Sequence, residues 1–307
     1  MLTGATGFVG RHVLAALAEA GHDVHAVARR RGPYAPGVSW HEADLLDGQQ
    51  IVGQVRPEVL VHMAWYAEHA KFWSSVESVR WVEASLALLR AFADAGGNRA
   101  VMAGSCAEYE WSRETYPESA ALRPATLYGA AKHGLHVVAG AYAEQAGISL
   151  AWGRPFFLYG PFEAPARFVP SIVLPLLRGE RAPMTEGSQL RDFLHVADAG
   201  AAFAALVDSS LTGAVNIASG EAVSLRELAT LIARHAGSPE LLDIGGMPGG
   251  EGEPRSIVAE VQRLRGELGW LPRITLEPGV TDTVEWWRER VLGPERNGLR
   301  SARGSMR

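Results

Sequence analysis

Residues 3–10 read TGATGFVG, with glycines at 4, 7 and 10 directly ahead of an amphipathic stretch, VGRHVLAALAEAG at 9–21. Glycines at such spacing allow a tight turn and let the backbone come close to a bound group. A helix starting behind them offers unpaired N–H groups that favour an anion. The spacing is G-x-x-G-x-x-G, not G-x-G-x-x-G, and a glycine triplet alone specifies little. Its setting decides. HDVHAVAR (22–29), GVSWHEAD (37–44), EVLVHMAW (58–65), RAVMAGS (99–105) and SLAWGRPF (149–156) read as short buried strands, with helical patterns at 9–21, 79–97 and 126–147 between several of them. Such alternation implies an α/β fold, a parallel sheet with helices on both faces, and places the triplet at its first crossover, where it would bind a nucleotide. Only three residues precede Gly4, so the strand presenting the loop is expected to be shorter than the usual ~5 residues.

The 307 residues suit one large domain or two closely joined ones. With 47% hydrophobic and 21% charged residues, the composition is that of an ordinary globular protein. A formal net charge of −5 gives no global attraction to nucleic acid or to an anionic membrane. One cysteine, Cys106, excludes an internal disulfide and a multi-cysteine zinc site, and no metal is expected. No apolar run approaches the ~18 residues of a membrane span, and the expected location is cytoplasmic.

After Pro155 the alternation breaks up, with prolines at 161, 165, 170, 175 and 183. An amphipathic helix, LRELATLIARHAG (225–237), is followed by the glycine-rich GGMPGGEGEP (245–254). The division expected is a dinucleotide-binding part over 1–155 and a smaller substrate-binding α/β part over 156–292, with 191–219 returning to the first. The four arginines of 293–307 lie in a solvated, flexible tail.

LYGAAKH (127–133) places Tyr128 and Lys132 at i and i+4, on one helix face. Small residues between them let a ligand approach. A lysine cation one turn away is a means of drawing a tyrosine from its ordinary pKa of about 10 toward neutrality.

With TGATGFVG, LYGAAKH and RDFLHVADAG (191–200) in this order, the chain resembles the extended short-chain dehydrogenase/reductase family, over residue 2 to about 290. RPFFLYGP (154–161), AVNIASGEAVSLREL (214–228) and RLRGELGWLP (263–272) extend the likeness. The resemblance implies a Rossmann-type doubly wound parallel sheet and an enzyme acting on a nucleotide sugar. It implies a catalytic set of Ser105, four residues before the aromatic Tyr109, with Tyr128 as acid/base and Lys132 lowering its pKa and bonding the nicotinamide ribose. Cofactor contacts carry over to Gly4, Thr6, Gly7, Phe8, Val9, Gly10, Met63, Ala64 and Pro155. Asp44 and Leu45 fall where the family cradles adenine, or form a simple helix cap. Arg191 matches an arginine that grips the substrate's pyrophosphate; Arg255 is a second clamp or a solvated loop charge. A homodimer through the helices at 79–97 and 126–147 is also implied.

Departures narrow the reaction. Family dehydratases carry an acid pair after the hydroxyl residue, and here Cys106 and Ala107 stand there, so 4,6-dehydration is not expected. Cys106 follows Ser105 directly and is expected to point to the other side of the strand, as a packed core thiol. The second strand ends on Ala28, where NAD binders hold the ribose with an acid, and is followed by Arg29, Arg30 and Arg31. Cations without an acid suit NADP(H), with NAD(H) possible if the loop is merely basic. Phe157 replaces a family asparagine, and Trp65, Tyr66 and His69 either face a deoxysugar or pack as a loop. The leading expectation is an NADP(H)-dependent 4-ketoreductase of a nucleotide-linked 4-keto-6-deoxyhexose. The alternatives are a nucleotide-sugar 4-epimerase with tightly held NAD, a non-catalytic NADP-sensing protein, and a reductase of a small carbonyl that is no nucleotide sugar.

Overall fold

The structure, a computed structural model, describes residues 1–33, 35–250 and 252–293; the tail over 294–307 lies outside the described residues. Seven strands form the central sheet: β1 (Leu2–Thr3), β2 (Val24–Ala28), β3 (Val38–Glu42), β4 (Val59–His62), β5 (Arg99–Ala103), β6 (Ser149–Pro155) and β7 (Gly213–Ile217). Their order is β3-β2-β1-β4-β5-β6-β7, and every neighbouring pair is parallel. The order reverses direction between β1 and β4, which opens a crevice beyond the carboxyl ends of the strands. Segment 213–217 pairs with β6 at the edge of this sheet.

The α-helices among the described residues are α1 (Gly10–Glu19), α2 (Gln50–Val55), α3 (Glu77–Asp94), α4 (Leu127–Ala146), α5 (Phe168–Leu177), α6 (Val196–Val207), α7 (Leu225–Ala236) and α8 (Leu276–Leu292). Side-chain alternation along the strands divides the apolar residues between two faces. Leu2, Ala26, Val61 and Val101 bury against Val13 and Leu17 of α1 and Ala202 and Phe203 of α6. Val27, Leu60, Ala100 and Met102 bury against Leu88 and Phe92 of α3 and Leu135 and Ala139 of α4. Because both faces are covered, these strands read as nearly continuous apolar runs.

β1 is only two residues long, yet both are fully buried. Its pairing is extended at the N-terminus: the Met1 amine donates to the Val59 carbonyl at 2.7 Å, and the Val61 N–H donates to the Met1 carbonyl. A buried side-chain relay reinforces it, with Thr3 Oγ1 2.7 Å from His62 Nδ1 and His62 Nε2 2.8 Å from Ser85 Oγ. Burial holds the His62 imidazole neutral, its pKa down at about 3.

The remaining segments gather over the crevice. A third apolar cluster joins α5, α7 and α8 to Tyr159, Met184 and Phe193. Four short strands, Thr115–Tyr116, Leu190–Arg191, Val223–Ser224 and Ser256–Ala259, make a second sheet. Asp192, with no exposed surface, holds these segments together. Its carboxylate accepts from Ser219 N (2.8 Å), Ser219 Oγ (2.6 Å), Gly220 N (2.9 Å) and Ala259 N (3.2 Å). Asp192→Ala strands three backbone donors, and at about 1–3 kcal/mol each it should lower unfolding free energy by roughly 3 kcal/mol or more. Equilibrium denaturation measures this; a loss below ~1 kcal/mol would show that water replaces the carboxylate.

Candidate active site

A cavity of about 590 Å³ opens at the β1/β4 crossover and runs under the second sheet. One end is built by the glycine loop. Gly4 has φ of +68°, and a methyl on Gly10 would overlap the Gly4 carbonyl oxygen. The loop is tied by Gly7 N donating to Gly4 O (2.9 Å) and by Arg11 Nη2 donating to Thr6 O (2.6 Å). No side chain caps α1; Arg11 N donates to the Gly7 carbonyl (3.2 Å) and His12 N to the Val9 carbonyl (3.0 Å), so an anion at the cavity end would be met by the N–H groups ahead of them. Gly4, Thr6, Gly7, Phe8, Val9 and Gly10 all line this end, as do Ala28, Arg29, Asp44, Leu45, Met63 and Ala64. The glycine at position 10 lets the start of α1 pack directly on the Gly4–Ala5 backbone, and a loop of this kind in front of a helix N-terminus suits a dinucleotide pyrophosphate.

At the other end Ser105, Tyr128 and Lys132 meet. Ser105 lies two residues past the end of β5, with extended backbone, and its Oγ accepts from Ala107 N at 3.2 Å. Tyr128 is in the first turn of α4, whose N-cap Thr126 accepts from Gly129 N at 3.1 Å. Gly129 is needed because a methyl there would overlap the Ala107 carbonyl oxygen. The small residue therefore lets α4 settle on the turn that carries Ser105. The Tyr128 ring is walled edge-on by Phe72, Trp73 and Trp65, with centroids at 4.9, 5.8 and 6.4 Å.

The electrostatics differ from the simple expectation for this pair. Burial pushes the Tyr128 hydroxyl up to about 12, with the nearby Ser105 pulling the other way. Lys132 Nζ donates to the Ala103 carbonyl at 2.8 Å and sits 3.8 Å above the Trp65 ring. Burial draws the lysine down to about 7, with Glu108 pulling the other way. Among the protein's own groups, desolvation thus outweighs the charge of the lysine, and the phenol is not drawn toward neutrality.

Other expected positions divide. Pro155, Trp65, Phe157 and Arg191 line the cavity. Arg191 is pinned: Nη2 donates to Glu253 Oε1 (2.7 Å), Nη1 to the carbonyls of Leu190 (2.8 Å) and Pro254 (3.0 Å). Arg30, Tyr66 and Arg255 do not line it. Arg30 is exposed in the loop after β2. Tyr66 points its hydroxyl to Glu68 Oε2 at 2.8 Å, and Arg255 offers only its carbonyl, to Leu190 N at 2.8 Å. Cys106 corrects the expectation that it faces away. β5 has ended at Ala103, so strand alternation does not apply, and Cys106 opens a 3₁₀ turn and lines the cavity. Its thiol is raised to about 12, first by burial and then by Glu108.

Phe72, Trp73, Trp111 and Arg167 also line the cavity and were not singled out from sequence; the aromatic run at 65–73 was the one available signal. Glu108, His133 and His136 bring ligand atoms within 4.8 Å of one another. The Arg154 guanidinium occupies that cluster, with Nε 2.9 Å from Glu108 Oε2 and Nη2 3.2 Å from His136 Nδ1. A cation there disfavours a metal.

The chain matches the NAD dependent epimerase/dehydratase family over residues 1–218 and belongs to it. It is an enzyme of the extended short-chain dehydrogenase/reductase type. It is 30% identical over 176 residues to the dTDP-glucose 4,6-dehydratase of an Actinoplanes species, a match spanning 57% of this chain and 55% of that enzyme. To the UDP-glucose 4-epimerase of Corynebacterium glutamicum it is 26% identical over 306 residues, covering 90% of this chain and 91% of the relative. Among solved structures, MoeE5 in complex with UDP-glucuronic acid and NAD is similar with a TM-score of 0.81 at 30% identity, over 94% of this chain and 98% of that one. Among the described residues no helix is long and apolar enough to cross a membrane.

Proposed function

We propose that the protein reduces the keto group of a nucleotide-linked 4-keto-6-deoxyhexose, using NADP(H). The observation that supports the reading is Tyr128, a phenol raised by burial that shares the cavity with Ser105 and Lys132. A phenol with its pKa near 12 is protonated at pH 7, which is the form that gives a proton to a carbonyl oxygen. Ser105 Oγ, already accepting from Ala107 N, has its O–H free to orient the same oxygen. Lys132, as an ammonium, stabilises the phenolate left behind. A nicotinamide dinucleotide bound at the glycine loop supplies the hydride.

Carboxylates beside the reacting centre would favour dehydration. Among the described cavity-lining residues the carboxylates are Asp44, just past the end of β3, and Glu253, which is bonded to Arg191. The substrate class rests on the relatives: MoeE5 was solved with UDP-glucuronic acid and NAD, and with UDP-glucose and NAD. Arg191, 4% exposed, lines the cavity with Nη1 engaged by the Leu190 and Pro254 carbonyls and Nη2 by Glu253, so a substrate phosphate gripped there would compete with the Glu253 carboxylate.

NADP(H) is favoured by Ala28 at the end of β2 with Arg29 beside it on the cavity. Arg29→Ala should weaken NADPH binding by about tenfold or more and leave NADH nearly unchanged, as fluorescence titration measures. Equal effects on both cofactors would remove the 2′-phosphate contact. We further propose a homodimer through α3 and α4, on which Val79, Val137 and Val138 are exposed; light scattering tests it, and a monomer would refute it.

The rival is a 4-epimerase, favoured by the near full-length match to the Corynebacterium glutamicum enzyme. Desalting the purified protein and assaying the released dinucleotide separates them. The reductase gives up its cofactor; dinucleotide retained at about one per chain would support the epimerase.

A further inference from the structure

Phe162 follows Gly160 and Pro161 with φ of +71°, a left-handed conformation that a bulky residue keeps only where its surroundings hold it there. The side chain is 42% exposed, so burial of apolar surface does not account for the strain. The contacts of the ring do. Arg11, in the first turn of α1, places its guanidinium carbon 3.9 Å from the centroid of the Phe162 ring. Trp286 of α8 meets the same ring at 4.8 Å between centroids, inclined by 62°. Arg290, one turn further along α8, stands 3.4 Å over Trp286. The backbone of the segment adds a second tie to α1, with His12 Nε2 3.4 Å from the Pro161 carbonyl oxygen.

Arg11 is also the side chain that holds the glycine loop. Its Nη2 donates to Thr6 O at 2.6 Å and its Nε to Gly7 O at 3.2 Å. Among the described residues these are the only side-chain hydrogen bonds to the backbone of 4–10. Thr6, Gly7 and Phe8 line the cavity, whereas Arg11 and Phe162 do not. Arg11 therefore grips the loop from behind. A peptide unit is planar and trans, so fixing the Gly7 carbonyl turns the Phe8 N–H the opposite way. That N–H has no partner among the described residues. A guanidinium stacked on an aromatic face keeps its N–H edge free to donate, which suits a brace of this kind.

We propose that Phe162 is a positioning residue for the dinucleotide: its ring braces Arg11, and Arg11 holds the Thr6 and Gly7 carbonyls so that the loop turns its free N–H toward the pyrophosphate. The role rests on a dinucleotide lying at the glycine loop, which the reductase and epimerase readings share. It joins α8, at the far end of the chain, to the loop at its start.

A double-mutant cycle tests it. Phe162→Leu keeps an apolar side chain beside Trp286 and removes the ring face, while Arg11→Met keeps the stem and removes the guanidinium. In titrations with NADPH, and with NAD in parallel, each variant should bind about three- to tenfold more weakly than the parent. The double variant should be no weaker than the weaker single one, because both changes break one unit. Phe162→Tyr retains the ring face and should recover affinity to within about twofold. Additive losses, or a loss in Arg11→Met without one in Phe162→Leu, would overturn the proposal; the second result would mean that Arg11 meets the dinucleotide itself. Hydrogen exchange in a peptide spanning 2–13, measured without any nucleotide, should be faster in both single variants than in the parent, and unchanged exchange would overturn the brace. If Phe162→Leu fails to fold, exchange in Arg11→Met decides alone. If the parent binds no dinucleotide, the reading of the loop fails, and the exchange experiment still decides whether Phe162 and Arg11 hold it.

Discussion

Tyr128→Phe should lower kcat by about 10²–10⁴-fold, the usual contribution of a positioned general acid, while dinucleotide binding stays within about twofold of the parent. The substitution removes one oxygen and keeps the ring among Phe72, Trp73 and Trp65. The α4 N-terminus should be undisturbed, because Tyr128 donates its backbone N–H to the Trp73 carbonyl at 3.1 Å and Thr126 caps the helix. Stability should even rise slightly, since an enclosed hydroxyl is no longer held from water. Stopped-flow turnover and cofactor titration on one preparation separate chemistry from binding. Retained turnover would take Tyr128 out of the mechanism. Loss of cofactor binding along with turnover would make its role structural.

Gly10→Ala is expected to abolish measurable dinucleotide binding and to destabilise the fold by about 1–3 kcal/mol, the range for forced overpacking. The added methyl would overlap the Gly4 carbonyl oxygen, and Gly4 cannot retreat. It holds φ of +68°, its carbonyl accepts from Gly7 N, and a methyl on Gly4 itself would come within 2.7 Å of Ala64 N. Relief must therefore move the loop into the space the pyrophosphate needs. Gly134→Ala on α4 is the matched control. It meets nothing within 4 Å, and it should stabilise by about 0.5–1 kcal/mol through helix propensity alone. Isothermal titration with NADPH and chemical denaturation give both quantities. Near-normal affinity in Gly10→Ala would place the pyrophosphate elsewhere.

The sheet and the glycine loop were legible because their signals are local. Strand–helix alternation sets a parallel sheet, and TGATGFVG sits where the first crossover begins. Tyr128 and Lys132 declare themselves through an i, i+4 spacing. What could not be read depends on distant partners. Glu253, sixty-two residues beyond Arg191 in the chain, pins that guanidinium. Arg154 and Trp152, both on β6, meet Glu108 on the turn that follows the neighbouring β5. The orientation of Cys106 turned on where β5 ends, a boundary no residue type marks. The ionisation of Tyr128 depends on three aromatic side chains from the 65–73 segment, which the sequence leaves open between ligand contact and loop packing. Arg29 reaches the cavity and Arg30 does not, since the strand has ended and neighbouring side chains diverge.

The most direct test of the reductase reading mixes the purified protein with a nucleotide-linked 4-keto-6-deoxyhexose and NADPH, with NADH in parallel. Nicotinamide absorbance is followed and the sugar product is identified. Stoichiometric oxidation of NADPH, faster than of NADH, with a 4-hydroxy-6-deoxyhexose formed, is the predicted result. No oxidation with either cofactor, together with interconversion of an unreduced nucleotide sugar at C4, would contradict it and establish the epimerase instead.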